Sequence, residues 1–222
     1  MGFMQFIKSL DDLLYEIMAW LVFYPLTLWR VIRHPWSMMD YAAAQLAEAE
    51  GKQFADTLSP PLFLLLSLLL SHALELTYLG QSVLIASNKG LARYVTDDTS
   101  LLLLRLMIFS IFPIILATRL VRKQGHKLNR HALQAPFYSQ CYLAGPFALV
   151  LGAGALLTQL HRPALQLAGL ALMLFALLSF GGLQIRWFSQ KLDVSLLRGF
   201  WIATLGMLEC LFVIAILAPL IV

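Results

Sequence analysis

Charge is scarce in this sequence. Asp, Glu, Lys and Arg make up 13% of its 222 residues, about half the share of an ordinary soluble domain. Cysteine is scarcer still. Cys141 and Cys210 are the only two, both lie inside apolar stretches, and their placement excludes a disulfide framework and leaves small packing roles. There is no Walker loop, GxGxxG, GxSxG, HExxH or CxxC, so no enzyme, cofactor or metal signature is present and none is expected. His126 and His131 stand five apart without a nearby Cys or acid, which reads as a solvated loop.

What fills the chain instead is apolar. Hydrophobic residues make up 60% and the mean hydropathy is +0.77. Long runs occupy Leu62–Leu79, Leu101–Thr118, Phe137–Leu160, Ala164–Ile185 and Phe200–Val222. A bilayer core of roughly 30 Å takes about 20 apolar helical residues to cross. Each crossing must satisfy its own backbone hydrogen bonds, which makes it a helix. The expected fold is all-α and polytopic, with five transmembrane helices. Residues 1–59 form an N-terminal extension and 60–222 the membrane domain.

The net charge of +4 does not point to nucleic acid, because the basic residues sit between the spans. The connection from Arg119 to Arg130 carries Arg119, Arg122, Lys123, Lys127 and Arg130 and no acid; Arg186, Lys191 and Arg198 follow the fourth span. On the other side, Lys89 and Arg93 are offset by Asp97 and Asp98, leaving Arg162 in a short turn. By the positive-inside rule the N-terminus lies in the cytoplasm and the C-terminus in the periplasm of an inner membrane. The five residues of the basic connection are also candidate contacts for anionic lipid headgroups.

Phe3, Phe6, Ile7, Leu10, Leu13, Leu14, Ile17 and Leu21 recur at three and four residues and build one apolar helical face. Gln5, Lys8, Asp11, Asp12 and Glu16 occupy the other. The uncharged run Ile17–Trp29 contains Pro25 and is too short to span comfortably. The pattern predicts an amphipathic interfacial helix on the inner leaflet, with a re-entrant hairpin as the alternative. Its acidic face favours a protein partner or the bundle itself over lipid. Ser37 with Asp40 reads as a capping box for a second helix that stops at Gly51, and Ser59-Pro60 as the entry to the first span.

Ionisable residues inside spans cost about 2.5–3.5 kcal/mol or more at a helix centre. His72, Glu75, Arg105 and Glu209 are the candidates. Ser67, Ser71, Glu75 and Tyr78 share a stripe of span one that should face other helices. Glu75 and Arg105 come to similar depth in an antiparallel hairpin and are expected to pair; with His72 they are also a candidate ion or proton site, and the alternative to pairing is that they face separate aqueous pockets. Glu209 has no basic residue near it in sequence and is expected to be a protonated packing residue, a proton or substrate site, or an intermolecular contact. Cys141, Gly145, Ala148, Gly152 and Ala155 on span three, and Gly199, Ala203, Gly206 and Cys210 on span five, form small-residue stripes for core packing or a homo-oligomer seam. Pro113 and Gly145-Pro146 are expected to kink their helices. Trp187 and Trp201 read as interfacial anchors.

An N-cytoplasmic extension followed by five closely spaced spans resembles the Yip1 superfamily. Arg30-Val-Ile-Arg-His-Pro35 and Leu58-Ser-Pro-Pro-Leu-Phe63 are similar to segments of bacterial Yip1-like proteins loosely labelled permeases, and Ala144-Gly145-Pro146 to the family's Gly-Pro. The Asp-Leu-Tyr-Gly-Pro motif of the eukaryotic members is absent. The resemblance implies a non-enzymatic membrane adaptor, organiser or accessory subunit, working with membrane lipids and a protein partner or a second copy of itself. The alternative is a small transporter or channel for protons, ions or a lipid-like solute that uses the intramembrane carboxylates.

Overall fold

The computed structural model of the chain describes residues 3–49, 51–79 and 98–221. The described residues form seven helices and no strand: α1 (Phe3–Arg33), α2 (Pro35–Gln45), α3 (Pro60–Leu79), α4 (Asp98–Lys123), α5 (Arg130–Gln159), α6 (Pro163–Leu192) and α7 (Leu196–Ile221). Of these, α3 to α7 are long and apolar enough to cross a membrane, and the chain is an integral membrane protein. The loop bearing Lys89, Arg93 and Asp97, and the side chains on the first half of the α1 face, fall outside the described residues.

The spans alternate in direction, so the basic residues that end α4 and α6 and begin α5 gather at one end of the bundle. Gln124 donates to the Lys191 carbonyl at 3.4 Å there, and Lys191 donates to Asp40 of α2 at 2.7 Å. Both α5 and α6 have 30 residues, about 45 Å at 1.5 Å per residue. They outreach a hydrocarbon core of roughly 30 Å. Asn129 caps α5 by accepting from the Ala132 amide at 2.8 Å. Asp193, at φ 51°, closes α6 in the left-handed conformation, which a short polar side chain tolerates.

The centre of the bundle is α5. It packs on α3, α4 and α6 and also meets α1 and α2, while α7 leans on α6 and α4. Four phenylalanines meet in the middle: Phe147 stacks on Phe180 at 4.5 Å between ring centroids, with Phe112 at 5.2 Å and Phe109 at 6.2 Å from Phe147. Around them the small-residue stripes face inward. A β-carbon at Gly145 would stand 2.5 Å from the Phe63 ring, and one at Gly152 would collide with the Ser71 hydroxyl. Gly154 and Gly169 bring the backbones of α5 and α6 together, and Gly199 sits against the Ile185 carbonyl. Cys141, Ala148, Ala203 and Cys210 are buried. These stripes are spent on contacts within the chain.

Local structure departs from the sequence reading at three places. His34 precedes α2 without a side-chain cap, Pro35 opens the helix, and it ends at Gln45 rather than running to Gly51. Asp40 is therefore inside α2 and reaches Lys191 instead of closing a capping box. Trp187 is no interfacial anchor: it is buried in the bundle, its ring 5.0 Å from Phe188, whereas Trp201 is exposed. Tyr78 is also exposed, so the polar stripe of α3 turns away from its neighbours after Glu75. The helices α4 and α5 continue through Pro113 and Pro146.

Candidate functional site

The extension is fastened to the bundle by hydroxyl groups. Leu58, just before α3, donates its amide to the Thr27 hydroxyl of α1 at 3.1 Å. Its carbonyl accepts from Tyr142 of α5 at 2.8 Å, and the Thr57 hydroxyl lies 3.1 Å from that of Tyr142. A residue ahead of a helix carries backbone groups that its own helix leaves unpartnered; here α1 and α5 supply both partners. One turn up α1, Tyr24 donates to Ser67 at 3.1 Å and packs at 5.4 Å on Phe63. Burial raises the Tyr24 phenol above its ordinary value of 10.0, and the Ser67 bond pulls it partly back. Val31, Met38, Ala42, Leu58, Phe63 and Tyr142 make one shared apolar cluster. Residues preceding α3 and residues of the bundle thus share a core. On the far side of α2, Ser139 donates to the Met39 carbonyl at 2.7 Å.

The four ionisable candidates separate into two sites. At the end opposite the basic one, Arg105 of α4 donates to Glu75 of α3; both side chains are largely buried, at 16% and 15% exposure. A cavity of about 370 Å³ adjoins this pair, with Ser71, Gly152 and Gln159 on its wall. His72 is buried one turn before Glu75.

Glu209 is not the isolated carboxyl expected of it. Arg119 of α4 donates to it across the α4–α7 contact. The partner comes from 90 residues away, and Gly206 clears its path. A β-carbon there would stand 2.8 Å from Leu116 Cδ2 and 3.2 Å from Arg119 Cδ. Glu209 remains about half exposed, whereas Arg119 is at 13%. A second cavity of about 380 Å³ opens beside the pair, and Arg122 and Lys123 line it.

The five candidate headgroup contacts are thereby divided. Arg119, Arg122 and Lys123 sit on the last turns of α4 beside Glu209. Lys127 lies in the connection, and Arg130 opens α5 beside a different cavity with Gln134 and Tyr138. Only the first three form a common surface, and one of them is already ion-paired.

Two features were not anticipated, although amides inside apolar spans are a signal for hydrogen bonds between helices. Gln140 of α5 and Gln184 of α6, both fully buried, exchange hydrogen bonds at 2.8 and 2.7 Å. Between α5, α6 and the α1–α2 corner lies a groove of about 620 Å³, with Phe147 and Phe180 along it and Trp36 and Arg186 at one end. No protein-family model, curated protein or solved structure matches this chain.

Proposed function

We propose that this protein is a non-enzymatic organiser or adaptor of Yip1-like architecture in the inner membrane. Its N-terminus lies in the cytoplasm and its C-terminus in the periplasm, and it works by holding lipids and a protein partner on its outer faces. The observation that carries this reading is the commitment of both intramembrane carboxylates, Glu75 to Arg105 and Glu209 to Arg119. A carboxylate fixed by a guanidinium is a structural tie between helices, and a charge paired at bilayer depth is costly to break. The phenylalanine cluster fills the middle of the bundle, which leaves the grooves and the exposed apolar length of α1 as working surfaces. Leu14, Met18, Leu21 and Val22 are all exposed along that helix.

A second reading, a transporter for ions or a small solute, draws on the cavity beside Glu75, Arg105 and Ser71. Lipid-preserving purification from native membranes with mass spectrometry separates the two. A stoichiometric partner that is lost on deletion of residues 2–18, with the latch at Tyr24 and Thr27 intact, supports the organiser. Flux in liposomes that Glu75→Gln abolishes in a folded bundle replaces it with the transporter.

A further inference from the structure

We infer that the groove between the α1–α2 corner and α5–α6 binds one acyl chain of an anionic glycerophospholipid, with the lipid phosphate on Arg186. The inference names a ligand for one face of the proposed organiser and rests on that reading for its sidedness.

The argument begins at the mouth. Trp36 donates its indole N–H to the Leu183 carbonyl at 3.5 Å, which fixes the ring against α6. The Arg186 guanidinium carbon lies over that ring, 4.2 Å from its centroid. The cation–π contact holds the guanidinium beside the mouth, and its five N–H donors suit an oxyanion. Among the described residues no carboxylate pairs with Arg186, and its side chain is exposed. It is the first charge after the apolar length of α6, at the basic end, where lipid phosphates of the inner leaflet lie.

Below the mouth the groove is apolar. It follows α6 from Arg186 to Phe175, a stretch of about 16 Å of helix. That is roughly half of a 30 Å hydrocarbon core, the depth of a single leaflet. Ser179, the polar side chain on that wall, bonds to its own helix at Ala176. The volume of about 620 Å³ falls within the roughly 300–1,000 Å³ of small-molecule sites. Gly182 lines the groove, and a β-carbon added there meets nothing within 4 Å. Unlike Gly145 and Gly206, this glycine makes room that no other described residue fills. A cation at headgroup height over an apolar slot one leaflet deep complements a phosphate carrying an acyl chain.

The test is native mass spectrometry of the full chain released from nanodiscs of equal parts phosphatidylglycerol and phosphatidylcholine. Wild type should retain one phosphatidylglycerol per chain, favoured about fivefold; both lipids offer a phosphate, but choline offsets its charge, so the preference is that of one basic residue for a net anionic headgroup. Arg186→Gln should lose the preference. Gly182→Leu should retain neither lipid and melt no lower than wild type. Equal retention of the two lipids by wild type, or unchanged retention by Gly182→Leu, overturns the proposal. A wild-type dimer that Gly182→Leu turns into a monomer overturns it too, by assigning the groove to a second copy. If Gly182→Leu is recovered poorly, Arg186→Gln decides alone, and an undiminished preference refutes the site. Solute flux in liposomes together with retained phosphatidylglycerol would remove the organiser reading and leave the lipid site standing.

Discussion

Replacing Gln140 with Leu should damage the bundle more than replacing Gln140 and Gln184 together. The two amides sit at 0% exposure and form a closed ring of two hydrogen bonds, 2.8 and 2.7 Å long. In Gln140→Leu or Gln184→Leu the surviving amide keeps its carbonyl and NH2 in a dry contact between α5 and α6. A buried polar group stripped of its partner costs about 1–3 kcal/mol, whereas removal of both partners is close to neutral. Hydrogen bonds between membrane helices average about 0.6 kcal/mol and reach about 1.7, so two in a ring bring the single-variant loss to about 1–3 kcal/mol. Leu matches Gln closely in volume, which keeps the packing term small. The double variant should therefore recover at least about 1 kcal/mol relative to the sum of the singles. Unfolding in mixed micelles of rising dodecyl sulfate content, followed by helicity, measures all four corners of this cycle. Two silent singles, or a double variant equal to their sum, would refute the reasoning.

The remaining predictions use the same measurement or a close relative. Gly152→Val should cost about 1–3 kcal/mol, because its β-carbon collides with Ser71, while Gly181→Ala, facing open space, should be neutral or gain up to about 1 kcal/mol. Reversing Glu75→Arg or Arg105→Glu alone should lose the folded monodisperse protein in size-exclusion chromatography, and reversing both should restore it. Thr27→Val should loosen α1 by about 1–3 kcal/mol, by leaving the Leu58 amide unpartnered, seen as faster proteolysis within α1. Because burial raises the Tyr24 phenol, the neutral form is the one the fold favours. The stability Tyr24 contributes is fully present below about pH 10 and falls as pH rises through the higher folded value. A base titration of Tyr24→Phe against wild type should therefore diverge only above that point.

Length and hydropathy were enough to find the five spans, because the requirement for about 20 apolar residues per crossing is a local one. The Glu75–Arg105 tie was also legible, since a hairpin brings neighbouring spans to matched depth whatever their rotation. Glu209 shows where such reading stops. Its partner belongs to α4, three spans earlier, and nothing along an apolar helix marks which face meets which neighbour when lipid and core are equally apolar. The same degeneracy hid the Gln140–Gln184 ring and the burial of Trp187, whose position near a helix end is also that of an interfacial anchor. The latch at Leu58 was invisible because its hydroxyls come from three segments, each ordinary by itself.

That latch also imposes an order on synthesis. The Leu58 carbonyl is claimed by a tyrosine 84 residues further along the chain. At about 5–20 residues per second, roughly 4–17 s pass before Tyr142 is even made. Since α3 and α4 are themselves made within that interval, in its last part the nascent chain holds α1 to α4, with an open acceptor at the foot of α3 and bare faces where α5 will lie. A ribosome stalled in this window presents a half-built bundle with a chemical mark of incompleteness, and the arrival of one phenol erases it.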